Sequence, residues 1–169
     1  MALTAPSPLG EQHVLEGFRC TSSGLAKWLL ERAHKNQRES ASRCFVVCDA
    51  RQNVIGYYAL SAGQITHETA PGRVKRNMPD PIPVAVLARL AVHENWTGRG
   101  VGRGLLKDAE LRTLQISQQM GIRVLLCHAI DKSAKSFYQH FGFIESPVEP
   151  MTMMLSLPSL QARLYNYRA

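Results

Sequence analysis

The stretch that decides the fold is TGRGVGRG, residues 97–104, in which every second residue is a glycine. The apolar run VAVLARLAV, residues 84–92, precedes it and predicts a central β-strand. Apolar residues at helical spacing predict a following helix that Gly121 ends: Val101, Leu105, Ala109, Ile116 and Met120. Such a strand, turn and helix form an anion site, because glycines admit a phosphate to the backbone and a helix N-terminus presents free N–H groups.

Three phosphate-binding motifs compete for this stretch. A P-loop requires Lys and Ser or Thr after its last glycine, but the chain reads Arg103-Gly104-Leu105, which excludes it. A dinucleotide-binding fingerprint requires GxGxxG and a later acid, whereas the spacing here is GxGxG and the next predicted strand ends in no suitable acid. The third motif is the pyrophosphate turn of coenzyme A, and on the glycines alone a plain turn also stays open.

A second motif, AKSFYQHFGF, lies downstream at residues 134–143. Residues 90–106 resemble the central motif of GNAT acetyltransferases, and residues 134–143 are similar to the A-x-x-F/L-Y-x-x-x-G-F segment of that family. Thr97 stands where the family usually has Arg or Gln, which removes a side-chain contact but no backbone donor. The resemblance implies the GNAT acyl-CoA N-acyltransferase fold, a mixed α/β architecture with a central mixed, mostly antiparallel sheet flanked by helices. We expect residues 1–169 to form a single domain of this kind.

The rest of the chain gives local predictions. Leu25, Trp28 and Leu29 at helical spacing predict one helix that Ser22 or Ser23 caps and that continues into a polar segment. The proline-rich and basic residues 65–83 predict a long loop or an interrupted short helix. Further strands are predicted at residues 44–48, 54–61, 124–129, 143–144 and 151–155, and a short helix at 133–140 that Gly142 stops.

The composition is that of an ordinary globular domain with a basic surplus. The chain has 20 Lys plus Arg against 13 Asp plus Glu, a net charge of +7, which favours an anionic partner. No apolar run is long enough to span a membrane, and the first residues lack the pattern of a secretory signal. The four cysteines form neither a CxxC pair nor a zinc-ligand spacing. We therefore expect no metal, and small buried thiols in a cytoplasmic protein.

The resemblance implies that acetyl-CoA is the co-substrate. Leu90 and Val92 are expected to offer main-chain hydrogen bonds, and Tyr138 to act as the general acid that protonates the leaving thiolate. The residues expected at the acetyl-CoA site are Leu90, Ala91, Val92, Thr97, Gly98, Arg99, Gly100, Val101, Gly102, Arg103, Gly104, Asp131, Ser133, Phe137 and Tyr138.

Nearly the whole chain is similar to the GNAT toxins of bacterial toxin–antitoxin systems, including residues 45–48, 56–60, 81–84, 151–155 and 164–167. This resemblance implies acetylation of the α-amine of aminoacyl-tRNA, which blocks translation, and restraint by a ribbon-helix-helix antitoxin. The residues expected to bind tRNA are Arg73, Lys75, Arg76 and Arg89, with Arg163 and Arg168 as further phosphate contacts. Trp96 and the Met-rich residues 151–154 suggest the interface of a homodimer.

No strong general base stands out, and an α-amine with a pKa of about 8 needs little help. Glu68, His93 and Glu94 are candidates for a water-mediated base. Cys127 and His128 are adjacent on a predicted strand, so their side chains point to opposite faces and form no nucleophilic pair. Two alternatives stay open: an N-acetyltransferase of a small amine or protein, and a non-catalytic module that binds coenzyme A or nucleic acid.

Overall fold

The computed structural model describes residues 2–168, with side chains described as far as Leu164. Its helices and strands, in chain order, are β1 (Ser7–Pro8), α1 (Ser23–Glu31), α2 (Ala33–Arg38), β2 (Arg43–Cys48), β3 (Val54–Ile65), α3 (Gly72–Lys75), β4 (Ile82–Val92), α4 (Val101–Ser117), β5 (Val124–His128), α5 (Lys132–His140), β6 (Ile144–Glu145), β7 (Thr152–Ser156) and α6 (Leu157–Arg168). A 3₁₀ turn, Glu94–Trp96, follows β4.

Within the described residues, the strands form a seven-stranded sheet in the order β1-β2-β3-β4-β5-β7-β6. Strands β4 and β5 run parallel, with Val84 opposite Val124 and Val86 opposite Leu126. The pairs β1–β2, β2–β3, β5–β7 and β6–β7 are antiparallel. This mixed, mostly antiparallel sheet confirms the predicted fold class. Its parallel pair requires a crossover connection, which contains α4.

The chain divides into compact units, one made of residues 1–61 and 88–109 and another made of residues 62–87 and 110–169. The first unit contains the glycine turn and the last residues of β4. The second unit contains α3, the first residues of β4, and every element from β5 onwards. The units are called here the glycine-turn unit and the α5 unit.

The core of the glycine-turn unit includes the apolar face of α1. Leu29 is completely buried, and the Trp28 ring stacks on Tyr57 with 5.8 Å between the ring centres. Ser22 caps α1 by accepting a hydrogen bond from the Leu25 N–H, as predicted. The prediction of one continuous helix is wrong, because Arg32 has φ −124 and separates α1 from α2. No glycine or proline marks this bend in the sequence.

The core of the α5 unit joins β4, β5 and β7 to the proline-rich segment. Val74 is completely buried in it, which explains why the short helix α3 persists there, as predicted. Met153 and Met154 are also completely buried. The prediction that the Met-rich segment forms a dimer interface is therefore wrong: β7 is paired with both β5 and β6, and these two side chains fill the core.

Helix α4 begins at Val101 as predicted, but its last turns differ from the prediction. The helix ends at Ser117, before Gly121. Ile116 and Met120 are 39% and 55% exposed, so they do not continue the buried face.

Polar residues occupy that buried face instead. Glu110 is 8% exposed and Thr113 is completely buried. The Glu110 Oε2 atom lies 3.6 Å from Nη2 of Arg163, and this ion pair lets a carboxylate take an inward position. Apolar spacing alone could not anticipate that exchange.

Strand β1 and helix α6 were not predicted from the sequence. Strand β1 has only two residues, too short for a period to show. The start of helix α6 was predictable from two residue types in the sequence. Ser156 caps the helix, its Oγ accepting from the Ser159 N–H at 3.1 Å, and Pro158 lies in the first turn, where proline is tolerated. Leu157 and Leu160, three residues apart, are both buried.

Candidate active site

The glycine turn adopts a backbone that only glycine takes easily. Gly98 has φ 74 and Gly100 has φ 83, both in the left-handed region where a Cβ is costly. Helix α4 starts directly after Gly100, so the turn leads the chain into a helix N-terminus. This arrangement fits a bound phosphate, since free N–H groups and the positive end of the helix dipole meet there.

The N–H groups available to an anion end before Gly104. The Gly104 N–H donates to the Gly100 carbonyl at 3.1 Å, which is the first hydrogen bond of the helix. Gly104 was expected at the acetyl-CoA site as one of the residues whose N–H groups bind the pyrophosphate, and for its N–H that expectation is wrong. The N–H groups of Val101, Gly102 and Arg103 precede this bond and are the ones that a helix N-terminus leaves free.

Side chains around the turn leave its backbone accessible. The Arg99 guanidinium stacks over the Trp96 ring, 5.0 Å from its centre, and Thr97 Oγ1 donates to the Glu94 carbonyl at 3.2 Å. The hydroxyl of Thr97 thus completes the 3₁₀ turn. A cleft of about 230 Å³ opens beside Gly100 and Gly104.

Gly56 in β3 holds α4 close to the sheet, a role that sequence reasoning missed. A Cβ on Gly56 would lie 2.9 Å from Leu105 Cδ1, 3.1 Å from Val101 Cγ1 and 3.3 Å from the Ala91 carbonyl oxygen. Any larger residue would push the start of α4 away from β4. A glycine inside a strand was the available signal, because it often marks a close approach of another element.

The last residues of β4 have a strand edge that is not paired with β5, so their backbone groups are available to the pantetheine arm of a cofactor. The ladder with β5 pairs only Val84–Val86, although β4 continues to Val92. Ala91 is buried in the glycine-turn unit, while Leu90 and Val92 are half-buried. Beyond Val86, the described backbone on that edge has no ladder partner. This fits the predicted main-chain hydrogen bonds from Leu90 and Val92.

Tyr138 lies on the buried face of α5. Its side chain is 7% exposed and contacts the rings of Phe137 and Phe143, each 5.3 Å away between ring centres. Burial raises the pKa of the Tyr138 phenol, with a smaller contribution from charge on Cys127. Among the described residues its hydroxyl has no hydrogen-bond partner. A protonated phenol without a protein acceptor is suited to donate to a substrate.

Other predicted contacts on α5 have local structural roles. Asp131 caps the helix, its Oδ1 accepting from the Ala134 N–H at 2.7 Å. Ser133 is exposed in the first turn, and Phe137 packs on Phe141 with ring centres 5.0 Å apart. Gly142, with φ 91, ends the segment as predicted.

The predicted tRNA-binding residues fall into two environments. Arg73 and Arg76 are exposed and Lys75 is half-buried on or beside α3. Arg123 holds this segment in place, donating from Nε to the Val74 carbonyl at 3.0 Å and from Nη2 to the Arg73 carbonyl at 3.1 Å.

Arg89 is different, because it is half-buried in β4 with its guanidinium 4.7 Å from the centre of the Trp28 ring. Two further arginines had been predicted to contact phosphates. Arg163 is engaged by Glu110 and by the Phe141 carbonyl, so that prediction is wrong. The side chain of Arg168 lies outside the described residues.

The candidate bases have other partners. His93 Nδ1 accepts from the Asn95 N–H at 3.1 Å, and its Nε2 lies 3.2 Å from the Gly17 carbonyl, so Nε2 carries the proton and no lone pair is free. The Glu94 carboxylate lies 3.2 Å from Arg19 Nε. Glu68 is exposed. The geometry therefore excludes neutral His93 as a base.

A different histidine has a free lone pair. Thr152 Oγ1 donates to Glu149 Oε2 at 3.0 Å and lies 3.0 Å from His128 Nδ1. Since the hydroxyl proton goes to the carboxylate, Nδ1 of His128 is the donor and Nε2 keeps its lone pair. His128 is exposed at the end of β5, and the buried Cys127 points to the other face, as predicted. The hydrogen bonds from His128 to Thr152 and from Thr152 to Glu149 were not predictable from the sequence, because Thr152 and Glu149 lie more than 20 residues from His128 along the chain.

The described cysteines form no disulfide, and the buried ones have raised thiol pKa values that disfavour the reactive thiolate. Burial raises the pKa of Cys44 to about 12, and burial with the Asp49 charge raises the pKa of Cys48 to about 11. In the described part of the chain, no group of three His, Cys, Asp or Glu residues could hold a metal ion. No helix there is long and apolar enough to cross a membrane.

These features define the class of protein. Residues 40–145 match the family model of the acetyltransferase (GNAT) domain. The chain belongs to the GNAT acetyltransferase family, and it is an N-acetyltransferase with acetyl-CoA as co-substrate.

Among individual proteins, the chain is similar to the tRNA-acetylating toxin of Mycobacterium tuberculosis (strain ATCC 25618 / H37Rv). The two are 42% identical over 160 residues, 94% of this chain and 95% of the toxin. The fold is also that of AtaT complexed with acetyl-methionyl-tRNAfMet, with a TM-score of 0.89 at 24% identity over 96% of this chain and 99% of AtaT. A mutant AtaT toxin bound to the C-terminus of the antitoxin AtaR and acetyl-CoA gives a TM-score of 0.81 at 24% identity, over 96% and 98% of the chains.

Proposed function

We propose that the protein is a toxin that uses acetyl-CoA to acetylate the α-amine of aminoacyl-tRNA and thereby blocks translation. The observation that carries the proposal is the 42% identity to a tRNA-acetylating toxin along 94% of the chain. Three features of the structure support the proposal: the positive φ angles of the glycine turn, the unpaired edge of β4 and the buried position of Tyr138.

In the proposed reaction, acetyl-CoA supplies a thioester whose carbonyl carbon the amine attacks and whose sulfur leaves as a thiolate. The N–H groups of Val101, Gly102 and Arg103 bind the pyrophosphate, and Leu90 and Val92 hold the pantetheine arm through their backbone. Tyr138 donates its phenolic proton to the sulfur. The nitrogen loses one proton to solvent water as the amide forms, and the phenolate regains a proton from water, so the enzyme returns to its starting state. Because burial raises the pKa of Tyr138, the phenol keeps this proton at neutral pH.

The amine needs little help from the protein. An α-amino group has a pKa of about 8, lower beside an ester, so a usable fraction is neutral before it binds. This matches a site whose predicted base His93 has no free lone pair. A lysine side chain, with a pKa of about 10.4, would require a base.

The charge of the protein supports a nucleic-acid substrate. Arg73, Lys75 and Arg76 have no carboxylate within ion-pair distance in the described structure, so they are available to phosphates. As parts of the same proposal, residues 1–169 act as one acetyltransferase domain in the cytoplasm. A ribbon-helix-helix antitoxin restrains the toxin, which acts as a homodimer.

The test is to incubate the purified protein with labelled acetyl-CoA and either charged total tRNA or the same tRNA stripped of amino acids. Label is expected on charged tRNA only, and sequencing of the labelled species names the tRNA. Absence of label from charged tRNA, with acetyl-CoA still bound, would reject the proposal in favour of a small-amine or protein substrate, or of a non-catalytic module.

A further inference from the structure

The Arg89 side chain lies on an aromatic ring, and its buried Nε has no hydrogen-bond partner among the described residues. Its guanidinium lies 4.7 Å from the centre of the Trp28 ring. Trp28 stacks in turn on Tyr57 at an interplanar angle of 13°, and the Tyr57 hydroxyl donates to the Leu25 carbonyl at 2.7 Å. The cation is therefore positioned by two stacked rings that are themselves anchored to α1.

The same guanidinium has no acceptor among the described residues. Arg89 Nε is buried without a hydrogen-bond partner, and no carboxylate in the described part of the chain pairs with this side chain. Arg19 and Arg163, by contrast, each pair with a glutamate. A half-buried cation with few partners costs folding free energy, and an anionic oxygen that binds its terminal Nη nitrogens would recover part of that cost.

The position of Arg89 indicates where that oxygen comes from. Arg89 precedes Leu90 and Val92 in β4, and at about 3.3 Å per residue its Cα lies about 10 Å from that of Val92. Arg89 therefore belongs to the same end of β4 as the backbone that the proposed function assigns to the acetyl-CoA arm. Its partner belongs either to the acceptor substrate or to acetyl-CoA.

We propose that Arg89, held by Trp28, binds a phosphodiester within the last three nucleotides of the aminoacyl-tRNA. This inference rests on the proposed function. In an aminoacyl-tRNA the α-carboxyl group is esterified, so the anionic groups common to every such 3′ end are phosphodiesters. A planar guanidinium is suited to two phosphate oxygens. Arg89 is thus a substrate-binding residue with a role distinct from the exposed charges on α3.

The experiment uses short substrates that carry the amino acid of the labelled tRNA through a stable 3′-amide: adenosine, CpA and CpCpA. Each phosphodiester is also replaced by an uncharged methylphosphonate. We expect kcat/KM of the wild-type protein to fall about 10- to 100-fold when one of the two links is uncharged. Arg89→Gln is expected to show the low value with both forms of that link, and Arg89→Lys to recover part of the difference.

Two further variants test the stack and the charge. Trp28→Leu should reduce the preference for the charged link, and Trp28→Phe should restore most of it. Arg51→Gln removes the same charge from an exposed position in the glycine-turn unit and should keep the full preference. If only full-length charged tRNA is acetylated, the methylphosphonates are placed in its 3′ end and the same comparison decides.

The outcomes separate this inference from the proposed function. If wild-type protein acetylates charged tRNA but treats charged and uncharged links alike, the role of Arg89 is overturned and the proposed function stands. An equal loss on both forms in Arg89→Gln would overturn it as well, because Arg89 would then serve folding or acetyl-CoA. If no aminoacyl substrate is acetylated, both proposals fail.

Discussion

The glycine turn and helix α5 carry their parts of the proposed reaction in opposite ways. The turn acts through its backbone, with positive φ at Gly98 and Gly100 and side chains engaged elsewhere. Helix α5 acts through one side chain, the Tyr138 phenol, in an aromatic cluster. The turn should therefore be sensitive to any group that blocks its N–H donors, whereas α5 should be sensitive to the loss of a single oxygen.

The largest expected effect is that of Tyr138→Phe. Removing the phenolic oxygen leaves the ring contacts in place, so the fold and the acetyl-CoA affinity should be kept. Turnover should fall about 10²- to 10⁴-fold, the usual contribution of a general acid. Single-turnover kinetics on charged tRNA, with calorimetry for acetyl-CoA, measure the two quantities.

The pH profile sharpens this prediction. Because the pKa of Tyr138 is raised, the proton-donating form persists at and above neutral pH, and kcat should not decline between pH 7 and pH 9. Unchanged turnover in Tyr138→Phe would remove this residue from the mechanism.

The next effect is that of Gly102→Glu in the turn. A carboxylate among the N–H donors repels the pyrophosphate and blocks its approach, so acetyl-CoA affinity should fall at least about 100-fold. Gln115→Glu adds the same charge at an exposed position of α4 and should bind normally. Normal affinity of Gly102→Glu by titration calorimetry would refute the pyrophosphate assignment.

A smaller effect is expected at α3, because tRNA binding there depends on several charges and not on one backbone conformation or one hydroxyl group. Changing Arg73, Lys75 and Arg76 together to Gln should weaken tRNA binding about tenfold at moderate salt. The slope of log K against log salt should drop by roughly 2–3, because each phosphate contact contributes about 0.7–0.9. Filter binding across a salt series measures both values.

Helix α2 and the residue before it offer the matched control. Arg32, Lys35 and Arg38 are all exposed, and changing them to Gln removes the same net charge as the α3 variant does. An equal loss in both triple variants would show that total charge, and not the surface of α3, governs the affinity.

Asp131→Ala should act on stability alone. Loss of the cap on the Ala134 N–H should cost about 1 kcal/mol and lower Tm by about 2–4 °C. Asp131→Asn keeps a cap and should lose less. If both variants weaken acetyl-CoA binding equally, Asp131 is a cofactor contact, as the sequence analysis expected.

The smallest effect is expected for His128→Gln. The Nε2 lone pair of His128 is free, but a neutral α-amine needs no base, so kcat should change less than about threefold. A loss of 100-fold or more would make His128 the missing base. Thr152→Val, which removes the hydroxyl between His128 and Glu149, would then reproduce part of that loss.

The fold was largely predictable because its signals are local. The apolar runs gave β2 to β5 and β7, and the caps at Ser22 and Gly142 set helix boundaries correctly. Predictions failed where a distant residue decided the outcome. Glu110 is buried because it forms an ion pair with Arg163. Polar residues therefore occupy the inward face of α4 in its second half, and Ile116, which was predicted to be buried, is exposed.

The sequence by itself determined the class of protein and the residue types of its chemistry, because two short motifs contain the glycines and the tyrosine. The tertiary structure decided which of those groups remain available. It showed that the Gly104 N–H donates the first hydrogen bond of α4 and that Arg163 is engaged by Glu110 and the Phe141 carbonyl. It also placed the Arg89 guanidinium on Trp28, with no acceptor among the residues that the structure describes. Residue types are local, but the availability of a hydrogen bond or a charge depends on neighbours far away along the chain.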